Sequence, residues 1–217
     1  MKGIRGTTGI VVSTLAVLAG SLTPASAGAA VLSTDQGTIH YIADQGERND
    51  VVVGVRTLLG QPVYTFTDND ASPISIGDGV CDLINGVGMC SQSGIATIHV
   101  NVRDRDDTIE IATAGNGGLA PPLIPTTLIG GRGHDVLTGG HGPDLIKGNN
   151  GRDALRGRKG ADFYKGGRGA DTLQTLDGIA DAGIFCGEGT RDLLRADKVD
   201  PEPRRCELGG RRPSKRF

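Results

Sequence analysis

The sequence predicts an all-β chain: a small β region of short strands, then a solenoid of stacked short repeats. Three observations carry that expectation. The 217 residues include 36 glycines and no tryptophan, with 37% apolar and 3% aromatic side chains. Gly inside a helix costs roughly 1 kcal/mol, so a helical bundle is excluded as the main architecture. Apolar and polar residues alternate with period two in several short runs, the pattern of a strand with one buried face. Finally, a nine-residue unit with Gly and Asp in fixed phase recurs without insertion in the second half of the chain, which marks a repeat architecture. The formal net charge is only −2, so the chain is neither a polycation nor an acidic tail, and any charge that matters is local.

Residues 1–27 read as a secretory signal. Lys2 and Arg5 precede an apolar run, and Ala25, Ser26 and Ala27 supply the small residues of a cleavage site. Ser13, Thr14, Ser21, Thr23 and Pro24 interrupt the run, too soon for a membrane span of about 20 apolar residues. The expected location is therefore secreted and extracellular. Export sets an oxidising environment, in which four cysteines without a CxxC pair are read first as disulfides. Three pairings are open to four cysteines; closeness in sequence favours Cys81 with Cys90 and Cys186 with Cys206.

Residues 28–114 form the expected small β domain, with strands at 38–43, 51–56, 63–67 and 95–102. In the last, Ala96, Ile98, Val100 and Val102 alternate with Thr97, His99, Asn101 and Arg103. Residues 115–127 contain Pro121, Pro122 and Pro125 and read as a Gly/Pro connector. Residues 128–176 hold the repeats. Residues 177–210 follow as a disulfide-containing C-terminal cap, and 211–217 as a solvated basic tail.

The repeats read GGRGHDVLT, GGHGPDLIK, GNNGRDALR, GRKGADFYK and GGRGADTLQ. Gly130, Gly139, Gly148, Gly157 and Gly166 hold position one; Gly133, Gly142, Gly151, Gly160 and Gly169 hold position four. Asp135, Asp144, Asp153, Asp162 and Asp171 hold position six, and Leu137, Ile146, Leu155, Tyr164 and Leu173 hold position eight. All five acids of the block occupy one phase, which a flexible linker has no reason to do, and its eight basic residues avoid that phase. Glycine at positions one and four permits the positive backbone angles of a tight turn that presents carbonyls. Asp at position six is short enough to coordinate from the turn's end, and hard oxygen ligands of this kind suit Ca²⁺.

These residues resemble the RTX, or haemolysin-type, calcium-binding repeats, over 130–174 in strict register; the nearest likeness is to secreted actinobacterial-type proteins that end in a segment like Cys186-Gly187-Glu188-Gly189. The resemblance implies a parallel β-roll (β-solenoid) in which one repeat is half a coil and Ca²⁺ is the cofactor. Asp135, Asp153 and Asp171 then share a first edge, Asp144 and Asp162 a second, and three inter-turn sites fall within the array. The ten glycines and five aspartates named above are the expected metal-site residues. Residues 103–109 look like a decayed repeat with Arg103 and Arg105 where turn glycines belong, and no calcium is expected there. Within the array Arg158, at position two, marks the weakest turn, because a side chain in the left-handed region carries a steric penalty. Five buried position-eight side chains are too little apolar burial to order the block, so metal binding and folding are expected to be one event.

No catalytic signature is present. His40, His99, His134 and His141 form no HExxH pair, no GxSxG or Walker loop occurs, and His134 and His141 read as solvent-facing turn residues. The reading is a secreted, non-enzymatic calcium-binding protein. The alternative is a cell-envelope or matrix adhesin in which calcium is only structural. Arg132, Lys159 and Arg168 at position three and Lys147, Arg156 and Lys165 at position nine form an expected outward basic surface for anionic envelope polymers, though without an aromatic platform. No specific nucleic-acid partner is indicated.

Overall fold

The computed structural model describes residues 29–70, 73–78, 80–112, 123–189, 191–206 and 208–211. The signal at 1–27, most of the connector and most of the basic tail lie outside the described residues. Every regular element among the described residues is a strand. In chain order they are β1 Val31–Asp35, β2 Thr38–Ile42, β3 Asp50–Leu58, β4 Gln61–Asp68, β5 Ser75–Ile76 and β6 Cys81–Ile84. Then come β7 Val87–Ser91, β8 Thr97–Asn101, β9 Thr108–Ile111, β10 Thr126–Arg132, β11 Val136–Thr138 and β12 Asp144–Asn150. Last are β13 Ala154–Arg156, β14 Phe163–Arg168, β15 Thr172–Gln174, β16 Gly183–Gly187, β17 Leu193–Ala196 and β18 Leu208–Arg211.

They form two sheets, ordered β16-β14-β12-β10-β8-β2-β1-β5 and β18-β17-β15-β13-β11-β9-β3-β4-β7-β6. From β8 to β17 the chain crosses from one sheet to the other at each turn, and these strands pair in parallel from coil to coil, starting on β2 in the first sheet and β3 in the second. The fold is thus an all-β parallel β-roll. Within the repeats the offset between paired residues is 18, as in Thr126↔Asp144 and Val136↔Ala154, so one nonapeptide is half a coil. Strands of the second sheet occupy positions seven to nine, as expected, at Val136–Thr138, Ala154–Arg156 and Thr172–Gln174. Those of the first sheet are longer, because β12 and β14 run on through the glycines of the next repeat.

The sheets do not follow the expected division into a small β domain, a connector and a repeat block. β8 pairs with β10 and β9 with β11, at an offset of 28 instead of 18. The additional residues lie between β9 and β10, so the Gly/Pro-rich stretch is an insertion in one coil. At the N-terminal end the parallel stack stops at antiparallel pairs, β1 with β2 and β3-β4-β7-β6, which cover the edges that a bare parallel stack would expose.

One core runs through the roll. Leu137, Ile146, Leu155, Tyr164 and Leu173 are at most 1% exposed, and they join Ile98, Val100, Ile109, Ile111 and Leu128 upstream and Ile184 and Leu194 downstream. Position eight therefore points inward, as period two in a short strand requires. The array's apolar burial is continued on both sides, and Tyr41 and Phe66 stack at 6.4 Å between centroids near the N-terminal end. Cys81 is bonded to Cys90 across the β6–β7 hairpin and Cys186 to Cys206 beside the last coils. No helix among the described residues is long and apolar enough to cross a membrane.

Candidate metal-binding edges

The 18-residue offset stacks each position-six aspartate on the one a coil away. On the first edge the amide of Asp135 donates to Oδ1 of Asp153 at 2.9 Å, and that of Asp153 to Oδ1 of Asp171 at 3.0 Å. The ladder extends past the repeats. Asp107 N donates to Asp135 Oδ1 at 3.0 Å, Asn49 N to Asp107 Oδ1 at 2.7 Å, and Asp171 N to Asp192 Oδ1 at 2.9 Å. On the second edge Asp144 N donates to Asp162 Oδ1 at 2.9 Å, and the series goes on through Asp181 at 3.1 Å and Asp200 at 3.3 Å.

Each bond uses one carboxylate oxygen. On the first edge the other, Oδ2, is buried and without a hydrogen-bond partner in Asp107, Asp135, Asp153, Asp171 and Asp192. A buried acceptor without a partner is costly, and a buried charge far more so. Burial pushes the carboxyls up, to about 6 for Asp135, Asp144, Asp153 and Asp171 and to about 7 for Asp107 and Asp162. Backbone amide donors oppose this only in part. These carboxyls are short of positive charge, the lack that a divalent cation would fill. No three His, Cys, Asp or Glu side chains among the described residues gather closely enough to hold an ion by themselves, so backbone carbonyls must complete any ligand set, which suits Ca²⁺ with its roughly six to eight oxygen ligands.

The glycines explain how the turns fit this geometry. Positive φ falls at position four, with Gly133, Gly151, Gly160 and Gly169 between 139° and 145°, and at position two, in Gly131, Asn149, Arg158 and Gly167. Position one, expected to share it, does not: Gly130, Gly139, Gly148, Gly157 and Gly166 are glycine because the aspartate of their own repeat folds over them, and any Cβ would overlap its Oδ2. At Gly142, in the second-edge turn of the second repeat, no positive φ is adopted either. A Cβ at Gly133, Gly151 or Gly169 would strike the carbonyl oxygen of the residue one coil back. First-edge turns are therefore stacked carbonyl on glycine.

Sequence reasoning placed the five aspartates at the turns and missed Asp181, Asp192 and Asp200. Insertions shift them off the nine-residue phase, with offsets of 19 to 21 in place of 18. The surviving signal was Cys186-Gly187-Glu188-Gly189, which keeps glycine at turn positions two and four by its pairing with Gly167 and Gly169. His134 is exposed and accepts from Arg152 N at 2.9 Å, while His141 is half-buried.

The pattern described as the RTX calcium-binding nonapeptide repeat, in four copies, matches residues 126–153 and 138–173. No curated protein and no solved structure matches the chain. With its 18-residue coils and its two columns of buried aspartates, the segment 126–173 is an array of RTX calcium-binding nonapeptide repeats, and the protein is a β-roll built around them.

Proposed function

We propose that the chain is a secreted, non-enzymatic calcium-binding protein in which Ca²⁺ loading completes the fold of the roll. The observation that carries this reading is the column of buried Asp Oδ2 atoms without a partner. Bound there, Ca²⁺ supplies the charge that the buried carboxylates lack. Asp135, Asp153 and Asp171 hold it from the turns, stacked carbonyls of the glycine positions complete the ligand set, and the position-eight side chains keep water from the inner side. The two disulfides support an extracellular setting, as does the leader-like composition of 1–27. Calorimetric Ca²⁺ titration of the chain lacking 1–27, with circular dichroism alongside, tests the reading. Saturable binding with a gain of β signal is expected, in the affinity class of extracellular modules, roughly 10⁻⁴ to 10⁻³ M. Absence of binding at millimolar Ca²⁺ overturns it.

A second reading, an envelope or matrix adhesin with structural calcium, is favoured by one surface. The sequence showed no aromatic platform, but the 20-residue offset between β14 and β16 brings Phe163 and Phe185 to 5.3 Å, with the Arg204 guanidinium 5.5 Å from the Phe185 ring. Exposed Lys165 and Arg168 lie on the same strand as Phe163. Retention on a teichoic-acid matrix that falls with salt and with Arg204→Ala is expected for an adhesin; retention unchanged by either removes this reading.

A further inference from the structure

The two edges of the roll are built differently, and the difference reassigns the calcium. On the first edge every interval from Asp107 to Asp192 repeats one arrangement: an amide-to-Oδ1 bond of 2.9 to 3.0 Å, an Oδ2 left over, and a carbonyl pressed on the turn residue above it. The carbonyl column runs Arg105, Gly133, Gly151, Gly169, each against the glycine of the next coil and ending at Gly189. Two of these intervals, Asp107–Asp135 and Asp171–Asp192, reach beyond the matched repeats. Arg103 and Arg105 do not prevent the first of them, because both adopt the positive φ of the turn, 67° and 81°, and present the same carbonyls. Asp107 and Asp192 are 1% and 0% exposed.

The Asp144–Asp162 interval of the second edge is served by the protein itself. Asp144 Oδ1 accepts from Thr126 N and from Thr126 Oγ1 at 2.6 Å, and its Oδ2 accepts from Gly140 N at 2.7 Å. Asp162 Oδ2 accepts from the hydroxyl of Tyr164 at 3.3 Å, and that hydroxyl also accepts from Gly157 N at 3.0 Å. The carbonyl of Gly139 is taken by the guanidinium of Arg158, which also reaches Ile111 O and pairs with Glu110 at 2.9 Å. Stacking is looser too, with a Cβ on Gly160 falling 2.4 Å from Gly142 O, against 1.5 to 1.7 Å for the first-edge glycines Gly133, Gly151, Gly169 and Gly189. The closure is local, since Asp181, the next acid on this edge, again leaves Oδ2 without a partner.

We propose that the Ca²⁺ column runs the length of the first edge, from the Asp107–Asp135 interval to the Asp171–Asp192 interval, and that the Asp144–Asp162 interval takes no calcium because Arg158, Tyr164, Thr126 and Gly140 already serve its oxygens. This rests on the reading that the aspartate edges hold Ca²⁺. It changes the expected count: the second-edge site inside the array is closed by the protein's own donors, and two sites are added outside it.

Native mass spectrometry of the Ca²⁺-saturated full chain, counting ions on the compact species, tests the assignment. Asp→Asn substitutions keep Oδ1 as acceptor for the ladder and remove the charge. Asp107→Asn and Asp192→Asn each lose one Ca²⁺, Asp144→Asn loses none, and Asp153→Asn, a positive control, loses at least one. The pair Arg158→Gly with Tyr164→Leu, which gives the fourth repeat the residues of its first-edge neighbours, gains one. A parent count kept by Asp107→Asn and Asp192→Asn, or a loss in Asp144→Asn, overturns the assignment while leaving calcium binding intact. A parent chain that binds no Ca²⁺ would instead remove the underlying reading.

Discussion

The main-chain amide of Asp153 donates to Oδ1 of Asp171 at 3.0 Å, 18 residues along the chain and one coil away. The bond holds each carboxylate in place with one oxygen and leaves the other for a cation. It also joins adjacent coils, so loss of one aspartate is felt on both sides. Because the ladder extends to Asp107 and Asp192, Asp135, Asp153 and Asp171 each border two intervals. Alanine at any of these three is expected to weaken Ca²⁺ binding by similar amounts and more than Asp107→Ala or Asp192→Ala. Calorimetric titration of the five variants checks the ranking.

Removal of calcium should loosen the repeats more than the N-terminal coils. Repeat turns carry the buried, unpartnered oxygens, whereas Val51, Val53, Phe66 and Tyr41 pack an apolar core closed by antiparallel strands. Hydrogen exchange with chelator is expected to show protection lost across 126–196 and kept across β3 and β4, and restored throughout by millimolar Ca²⁺. Uniform protection with and without Ca²⁺ would contradict the coupling.

The pH dependence has opposite signs with and without metal. Burial raises the carboxyls of Asp135, Asp144, Asp153 and Asp171 to about 6, of Asp162 to about 7 and of Asp181 to about 8, against about 3.9 in an unfolded chain. The folded metal-free chain therefore holds protons that the unfolded chain has released, and its stability falls as pH rises from about 4 to about 8. In chelator, acidification from pH 8 to 5 is expected to increase β signal. With Ca²⁺ present the same change weakens binding, because protons and metal compete for the same oxygens. Circular dichroism and Ca²⁺ titration at the two pH values separate these effects, and a chelated chain that loses β signal on acidification contradicts the assignment.

Glycine positions one and four should fail for different reasons. Gly148→Ala sets a methyl group against Asp153 Oδ2, whereas Gly151→Ala sets one against the Gly133 carbonyl at a φ of 143°. The first displaces a ligand, the second the backbone. Gly151→Ala is expected to cost about 3 kcal/mol or more, Gly148→Ala about 1–3 kcal/mol together with weaker Ca²⁺ binding. Gly178→Ala, with nothing within 4 Å, should cost about 1 kcal/mol from its φ alone. Thermal melts in saturating Ca²⁺ give the order.

The two disulfides should differ in their effect on metal. Chain-entropy arguments assign about 3 kcal/mol to each, so both serine pairs lower the melting temperature. Cys186 lies one turn before Asp192 on the coil that ends the first edge, while Cys81–Cys90 closes a hairpin at the far end of the second sheet. Replacing Cys186 and Cys206 is expected to raise the Ca²⁺ midpoint. Replacing Cys81 and Cys90 should leave it unchanged.

What recurs locally was legible in the residues: the nine-residue phase, the inward side chain at position eight and two disulfides between near neighbours, while the half-coil and the alternation of aspartates between edges came with the resemblance to RTX repeats. Each follows from a chemical requirement met again every nine residues, which makes the phase visible. The packed fold was needed to show that Thr97–Asn101 and Thr108–Ile111 continue the same sheets, that Asp107, Asp181, Asp192 and Asp200 extend the columns, and that Phe163 meets Phe185. Parallel pairing needs register only along the strands, so offsets of 28, 20 and 21 are absorbed in the turns while erasing the phase in sequence. The inequality of the two edges was equally hidden, because Asp144 and Asp153 occupy the same position in the repeat and differ only in whether Thr126, Gly140 and, one coil on, Tyr164 and Arg158 reach the oxygens around them.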